Sequence, residues 1–132
     1  MKYIPQAAPF VMIDELVSSD EVQTISRFTI TADNIFIDSM GCFAEAGLVE
    51  NMAQTAAAGT GFKASQNNDA PPVGFIGQIK NLSIFSLPEV GDTIETTITQ
   101  QNQVMNAIMV MGEIRLNQEL IARAEYKIFL QS

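Results

Sequence analysis

The chain has 132 residues, 47% of them hydrophobic, which is enough for one domain with a sizeable core. Its net charge of −8 argues against nucleic acid as a partner, because the seven Lys and Arg residues form no cluster that would offset phosphate repulsion. The chain contains no histidine and one cysteine, which excludes its own imidazole chemistry, an internal disulfide and a Cys/His zinc site.

The cellular location is predicted from what the chain lacks. No apolar run approaches the ~20 residues that a membrane-spanning helix requires, so we expect no membrane insertion. The N-terminal segment has no apolar stretch like that of a secretory signal. The single cysteine, Cys42, fits a reducing compartment. We therefore expect one cytoplasmic domain over residues 1–132, with no metal and no other cofactor.

The first half of the chain predicts two strands and a helix. Apolar and polar residues alternate over 11–17 and 22–30, and Ser18-Ser19-Asp20-Glu21 between them is typical of a turn. A helix is predicted for about 43–65, where proline is absent and good helix formers dominate. This helix is apolar on nearly every side, so we expect it to be buried all round. Its glycines predict close packing against other backbone.

The second half predicts only strands. They are expected at 73–86, 93–99, 104–116 and 119–130, with turns at 87–92 and 117–118. The fold class is therefore α+β, a curved antiparallel sheet of about six strands wrapped around one central helix. Such a sheet has long edges that usually need a partner, so we expect at least a dimer in which the 73–86 strands of two subunits meet.

Four segments of the chain resemble the hot-dog-fold 3-hydroxyacyl-acyl-carrier-protein dehydratases in type and order. They are Pro9-Phe10-Val11-Met12-Ile13-Asp14, Gly47-Leu48-Val49-Glu50-Asn51-Met52-Ala53-Gln54, Phe75-Ile76-Gly77 and Leu87-Pro88-Glu89-Val90-Gly91-Asp92. The resemblance covers nearly the whole chain and implies the hot-dog fold. In that family, a helix glutamate and a histidine from the loop before the helix remove water from a 3-hydroxyacyl thioester.

The resemblance also implies roles for particular residues. Glu50 matches the family glutamate, and Gln54 matches the glutamine one turn later. The loop that should carry the histidine reads Phe36-Ile37-Asp38-Ser39-Met40-Gly41-Cys42-Phe43 and has none. This pattern is similar to the histidine-less dehydratase-like proteins of aryl-polyene and related pigment clusters, which can pair with an active dehydratase subunit.

Glu50 and Gln54 are four residues apart and therefore share one helix face. Small side chains on that face favour a narrow groove for an acyl chain, whereas the alternative is a buried glutamate with a purely structural hydrogen bond. Asp38 is a candidate acid–base companion of Glu50, and Cys42 is better explained as a small hydrophobe than as a nucleophile. Substrate contacts are expected from Phe43, Gly47, Ala57, Phe75 and Gly77.

Two functions stay open at this point. In the first, the protein binds acyl-carrier-protein or CoA thioesters in fatty-acid or polyene-type lipid biosynthesis and is impaired or inactive alone. It would then work as a homodimer or as a heterodimer with a histidine-containing hot-dog subunit. In the second, it is an active thioesterase or dehydratase with Glu50 as general base.

Overall fold

Within residues 1–70 and 72–131, a six-stranded antiparallel sheet wraps around a single helix, as the sequence predicts. The computed structural model describes residues 1–70 and 72–131. The sheet order is β1-β2-β4-β5-β6-β3, and the helix α1 lies on its concave face. The elements are β1 (Glu15–Ser19), β2 (Gln23–Thr29), α1 (Glu45–Gln66), β3 (Val73–Ile84), β4 (Thr93–Val104), β5 (Ala107–Leu116) and β6 (Glu119–Gln131). Within the described ranges, no helix has the length and apolar character needed to cross a membrane.

The helix begins two residues later than predicted because the residues before it are held in extended conformation. Phe43 forms a bridge with Ile37, and its N–H donates to the Pro88 carbonyl at 2.8 Å. The Ala44 N–H donates to the Phe36 carbonyl, also at 2.8 Å. These bonds fix the entry of the chain into α1 and leave Glu45 as the first helical residue.

The first strand is also displaced from its predicted range of 11–17. The backbone at Met12 bonds to helix side chains instead of to a neighbouring strand: its N–H donates to Gln54 and its carbonyl accepts from Asn51. Strand pairing with β2 therefore starts only at Glu15. The predicted two-residue turn at 117–118 is confirmed, with φ of 51° at Asn117 and 71° at Gln118.

The bounds of β4 and β5 differ from the predicted strands at 93–99 and 104–116. β4 continues to Val104 and β5 begins at Ala107, because Met105 adopts a φ of 56° and reverses the chain there. The ladder between the two strands extends to the pair Val104 and Ala107. The result is a longer hairpin than the sequence indicates.

The helix packs its sheet-facing side into the core but is not buried all round. Leu48 and Met52 are fully buried against the strands. The predicted close packing of the helix glycines is seen at Gly61, where an added Cβ would collide with the Tyr3 carbonyl oxygen. In contrast, Ala53 and Ala56 are half-buried. Among the described residues, the side of α1 that carries Ala53 and Ala56 is therefore only partly covered.

The two edges of the sheet differ in length and in chemistry. β1 has five residues and an irregular register between Leu16 and Ser18. β3 has twelve residues and pairs only with β6 among the described strands. Several of its apolar side chains are between 37% and 58% exposed: Val73, Phe75, Ile76, Ile79 and Leu82.

Candidate functional site

A cavity of about 860 Å³ lies between α1 and the strands that form the concave face of the sheet. The helix contributes the polar residues Glu50 and Gln54 and small residues such as Ala57. The sheet contributes apolar side chains, namely Ile98, Ile108, Val110, Ile128 and Leu130. The N-terminal half of β3 closes one side. The helix wall therefore carries polar groups at Glu50 and Gln54 among small residues, and it faces a sheet wall with a large apolar part.

Gln54 is held rigidly on the helix wall because all of its polar side-chain atoms are hydrogen-bonded. It is 1% exposed, and its Oε1 accepts the Met12 N–H at 2.6 Å. Its Nε2 donates to the Phe10 carbonyl at 2.8 Å and to Oε1 of Glu50 at 2.9 Å. The amide thus fastens the segment before β1 to the helix and uses its remaining hydrogen to orient the Glu50 carboxylate.

Glu50 is half-buried and presents a carboxylate to the cavity. One oxygen accepts the hydrogen bond from Gln54. The other oxygen accepts none from residues 1–70 or 72–131. A carboxylate held at one oxygen and open at the other can accept a proton or orient a water molecule or a hydroxyl group of a ligand.

Tyr126 in β6 is a neighbour of Glu50 that sequence reasoning missed. Its side chain is 1% exposed, and its hydroxyl donates to the Val49 carbonyl at 2.7 Å. Burial, and then the negative charge of Glu50, raise the pKa of Tyr126, so the phenol stays protonated and remains a donor. The signal in the sequence is the period-two run Ala122, Ala124, Tyr126, in which one large side chain follows two small ones on the concave face.

A second polar cluster lies one residue further along the helix. Asn51 donates to the Met12 carbonyl at 2.7 Å and accepts from the Thr96 hydroxyl at 2.5 Å. The Thr55 hydroxyl bonds to the Asn51 carbonyl at 2.8 Å and to the Ser26 hydroxyl at 2.7 Å. All four side chains are completely buried, so this cluster joins α1 to β2 and β4 and has no access to the cavity.

The structure places two of the expected substrate contacts on the cavity wall and three elsewhere. Ala57 and Phe75 line the cavity. Phe43 is fully buried, and its ring lies over Gly47, where an added Cβ would come within 2.5 Å of it. Gly77 is covered by the ring of Phe129. The roles of all five residues in substrate binding stay predictions.

Asp38 and Cys42 lie in the loop before α1 and do not line the cavity. The Oδ1 atom of Asp38 accepts the Met40 N–H at 2.8 Å and the Cys42 N–H at 3.0 Å, which closes a turn. Desolvation, and then the charges of Asp38 and Glu89, raise the pKa of the Cys42 thiol and disfavour a thiolate nucleophile. Among the described residues, no three Asp, Glu or Cys side chains are grouped as metal ligands.

Comparison with known proteins identifies a family and a fold. The model of the ApeP-like family, described as ApeP dehydratase, matches residues 1–132. The chain superimposes on the dehydratase heterocomplex ApeI:P from Xenorhabdus doucetiae with a TM-score of 0.90 and 16% identity, over 98% of this chain and 89% of that one. No curated protein matches the chain.

Two further solved structures share the architecture at lower similarity. The PaaI protein of the E. coli phenylacetic acid degradation operon gives a TM-score of 0.72 at 16% identity, over 87% of this chain and 81% of that one. A hypothetical thioesterase protein with coenzyme A from Streptococcus pneumoniae gives 0.73 at 10% identity, over 89% and 85%. Identities this low show the fold alone, and the predicted hot-dog fold is confirmed.

Proposed function

We propose that this chain, which belongs to the ApeP-like family of dehydratases, is an acyl-thioester-binding subunit of a dehydratase. It would supply a substrate cavity and the Glu50 carboxylate, and it would act on carrier-protein or CoA thioesters in fatty-acid or polyene-type lipid biosynthesis. Because the chain has no histidine, we propose that it is impaired or inactive alone.

The observation that carries this proposal is the open oxygen of Glu50 on the wall of the cavity of about 860 Å³. The apolar sheet wall, with Ile98 and Val110, suits an acyl chain. The polar helix wall suits the reacting end of a thioester. Gln54 supports the proposal because it holds the carboxylate in one orientation.

Dehydration needs two proton transfers, one from C2 of the acyl group and one to the departing hydroxyl. Glu50 can perform one of them. The other needs a second acid–base group, and such a group typically contributes about 10²–10⁴-fold to the rate. We propose that a histidine-containing hot-dog subunit provides it in a heterodimer, while a homodimer of this chain lacks it.

The β3 edge is the proposed contact with that subunit. Its twelve residues carry exposed apolar side chains and pair on only one side within the described part of the chain. An unpaired strand of this length is a ready template for a second strand. The heteromeric character of the similar ApeI:P structure supports a heterodimer over a homodimer.

A second candidate function is hydrolysis of an acyl thioester, in which the open oxygen of Glu50 activates a water molecule. The observation that favours it is the same half-buried carboxylate, which needs no imidazole for this role. The similar fold of the S. pneumoniae hypothetical thioesterase also supports it. The two candidates differ in product, since one releases water and the other releases a free thiol.

One experiment separates the two functions. The purified chain is incubated with 3-hydroxyacyl-CoA and 3-hydroxyacyl carrier protein, alone and with a histidine-containing hot-dog dehydratase from the same genome. We expect tight binding by native mass spectrometry, no thiol release, and enoyl product only in the mixture. Thiol release by the chain alone would establish the thioesterase, and equal affinity for unacylated pantetheine would refute the acyl-binding cavity.

The β3 contact is tested by placing one charge on each edge. Phe75→Lys puts a cation on β3, where Phe75 is 55% exposed, and Val17→Lys does the same on β1, where Val17 is 37% exposed. We expect Phe75→Lys to leave a species of about 14.4 kDa by light scattering, while Val17→Lys stays associated. A wild type that stays at 14.4 kDa at micromolar concentration both alone and in the mixture with the second subunit would refute the contact.

A further inference from the structure

Gln6 is a side chain whose polar atoms are not used by the fold. It lines the same cavity as Glu50 and Gln54. Its Oε1 atom is buried and accepts no hydrogen bond from residues 1–70 or 72–131. It is the only buried side-chain oxygen or nitrogen in that part of the chain with this property.

The segment that carries Gln6 is anchored to the helix. Ile4 is 8% exposed and packs with Ala58, and the rings of Tyr3 and Phe62 meet edge to face at 5.4 Å. The Tyr3 carbonyl lies against Gly61 so closely that a Cβ there would collide with it. Gln6 is therefore held on the cavity wall by its neighbours and not by its own amide.

Gln54 shows what a structural amide looks like in this molecule. Its oxygen and both of its nitrogen-bound hydrogens have partners among the backbone and Glu50. A buried amide oxygen without a donor costs stability, and a leucine of similar size in its place would not. The unpaired amide oxygen of Gln6 therefore destabilises the folded protein, and no hydrogen bond within the described residues offsets this.

A ligand in the cavity can supply the missing donor. Glu50 and Gln6 line the same cavity, and each has an oxygen that accepts no hydrogen bond from the described residues, so the two residues favour a ligand that carries hydrogen-bond donors. We infer that Gln6 is a ligand-binding residue whose Oε1 accepts a hydrogen bond from an N–H or O–H group of the bound thioester. This inference rests on the proposed acyl-thioester function.

Two parts of such a thioester carry suitable donors. The pantetheine arm has amide N–H groups, and the acyl chain has a hydroxyl at C3. Three probes distinguish them: a 3-hydroxyacyl pantetheine thioester, the same thioester without the hydroxyl, and the 3-hydroxy fatty acid without the arm. The variants are Gln6→Leu, which removes the acceptor oxygen, and Gln6→Glu, which keeps an acceptor oxygen at this position.

We expect Gln6→Leu to bind each probe that contains the recognised donor about tenfold more weakly than the wild type does. Its affinity for the probe that lacks this donor should equal that of the wild type. Gln6→Glu should retain most of the affinity. In the absence of ligand, Gln6→Leu should melt at a higher temperature than the wild type, because it removes the unpaired acceptor. Gln101→Leu, at an exposed position outside the cavity lining, serves as the matched control and should change neither property.

Three results would overturn the inference. Equal affinities of Gln6→Leu and wild type for all three probes would remove Gln6 from the site while leaving the proposed function intact. A lowered melting temperature with uniform weakening of all probes would assign Gln6 a structural role. A wild type that binds none of the probes would overturn the proposed function together with the role of Gln6.

Discussion

Two polar pairs in α1, Glu50 with Gln54 and Asn51 with Thr55, are offset by one residue and differ in their hydrogen bonding. Asn51 and Thr55 end in a closed network in which every polar side-chain atom meets protein. In the pair Glu50 and Gln54, the Gln54 amide is likewise fully hydrogen-bonded, but one Glu50 oxygen has no donor among the described residues and lies at a cavity. The spacing is identical, so the difference comes from what each helix face meets.

The comparison separates polar residues that build the fold from those that can perform chemistry. A fully paired buried cluster is stabilising only as a whole, and removing one member strands the others. A carboxylate with an open oxygen is free to change its partner when a ligand enters. The pair at 51 and 55 should therefore control stability, and Glu50 should control turnover.

Glu50→Gln should have the largest effect, and on activity alone. In the proposed heterodimer, we expect turnover of a 3-hydroxyacyl thioester to fall about 10²–10⁴-fold, because the amide cannot exchange a proton. The melting temperature should hardly change, since the amide keeps the shape of the side chain and an acceptor for Gln54. Glu45→Gln, on the exposed first turn of the same helix, is the control and should leave turnover intact. Unchanged turnover in Glu50→Gln would end its catalytic role.

Asn51→Leu should cause the largest loss of stability. It leaves the Thr96 hydroxyl and the Met12 carbonyl buried without their partner. We expect the free energy of unfolding to fall by roughly 2–4 kcal/mol, measured by urea titration, because each stranded group costs about 1–3 kcal/mol. Any activity that remains in the folded fraction should be normal per folded molecule. A variant as stable as wild type would show that the network is dispensable.

Gln54→Leu tests a residue that both stabilises the fold and orients the Glu50 carboxylate. It frees the Met12 N–H and releases the Glu50 carboxylate from its one fixed bond. We expect a loss of about 1–3 kcal/mol in stability, together with a fall in turnover smaller than that of Glu50→Gln. Gln54→Glu provides the comparison, because it keeps the length of the side chain and places a second carboxylate beside the first. A loss of stability with normal turnover would show that Glu50 needs no orientation.

Much of this arrangement can be predicted from the sequence, because it depends on local spacing. The helix is predicted by the absence of proline and the run of helix formers, and the shared face of Glu50 and Gln54 is predicted by their separation of four. The use of the Gln54 amide by the backbone of Met12 is not predictable in this way. It depends on the path of a segment 42 residues away in the chain.

Two further side chains near the site also depend on tertiary structure. Tyr126 reaches the helix across 77 residues of sequence, and only the folded sheet brings the two together. Asp38 has the right chemistry and position in the chain for a partner of Glu50, but its carboxylate closes its own loop. Residue type predicts what a side chain can do, whereas tertiary structure decides what it meets.

Tyr126→Phe should have the smallest effect, about 1 kcal/mol, because it removes one hydrogen bond to a helix carbonyl. The pKa of Tyr126 is raised in the folded protein, so its contribution is complete below the unfolded value near pH 10 and decreases as the pH rises above it. We expect the wild type to lose stability in this alkaline range and Tyr126→Phe to lose less. Denaturation midpoints from pH 8 to 11 measure this, and parallel curves for the two proteins would contradict it.

The long apolar edge of β3 has a consequence for the amount of the protein in a cell. A solitary chain displays an unsatisfied template for strand pairing, which is the surface that chaperones hold and proteases clear. Under the proposed heterodimer, its abundance should therefore follow that of the subunit that covers the edge. Synthesis in excess of that subunit should then yield aggregated or degraded material instead of a reserve of free chain.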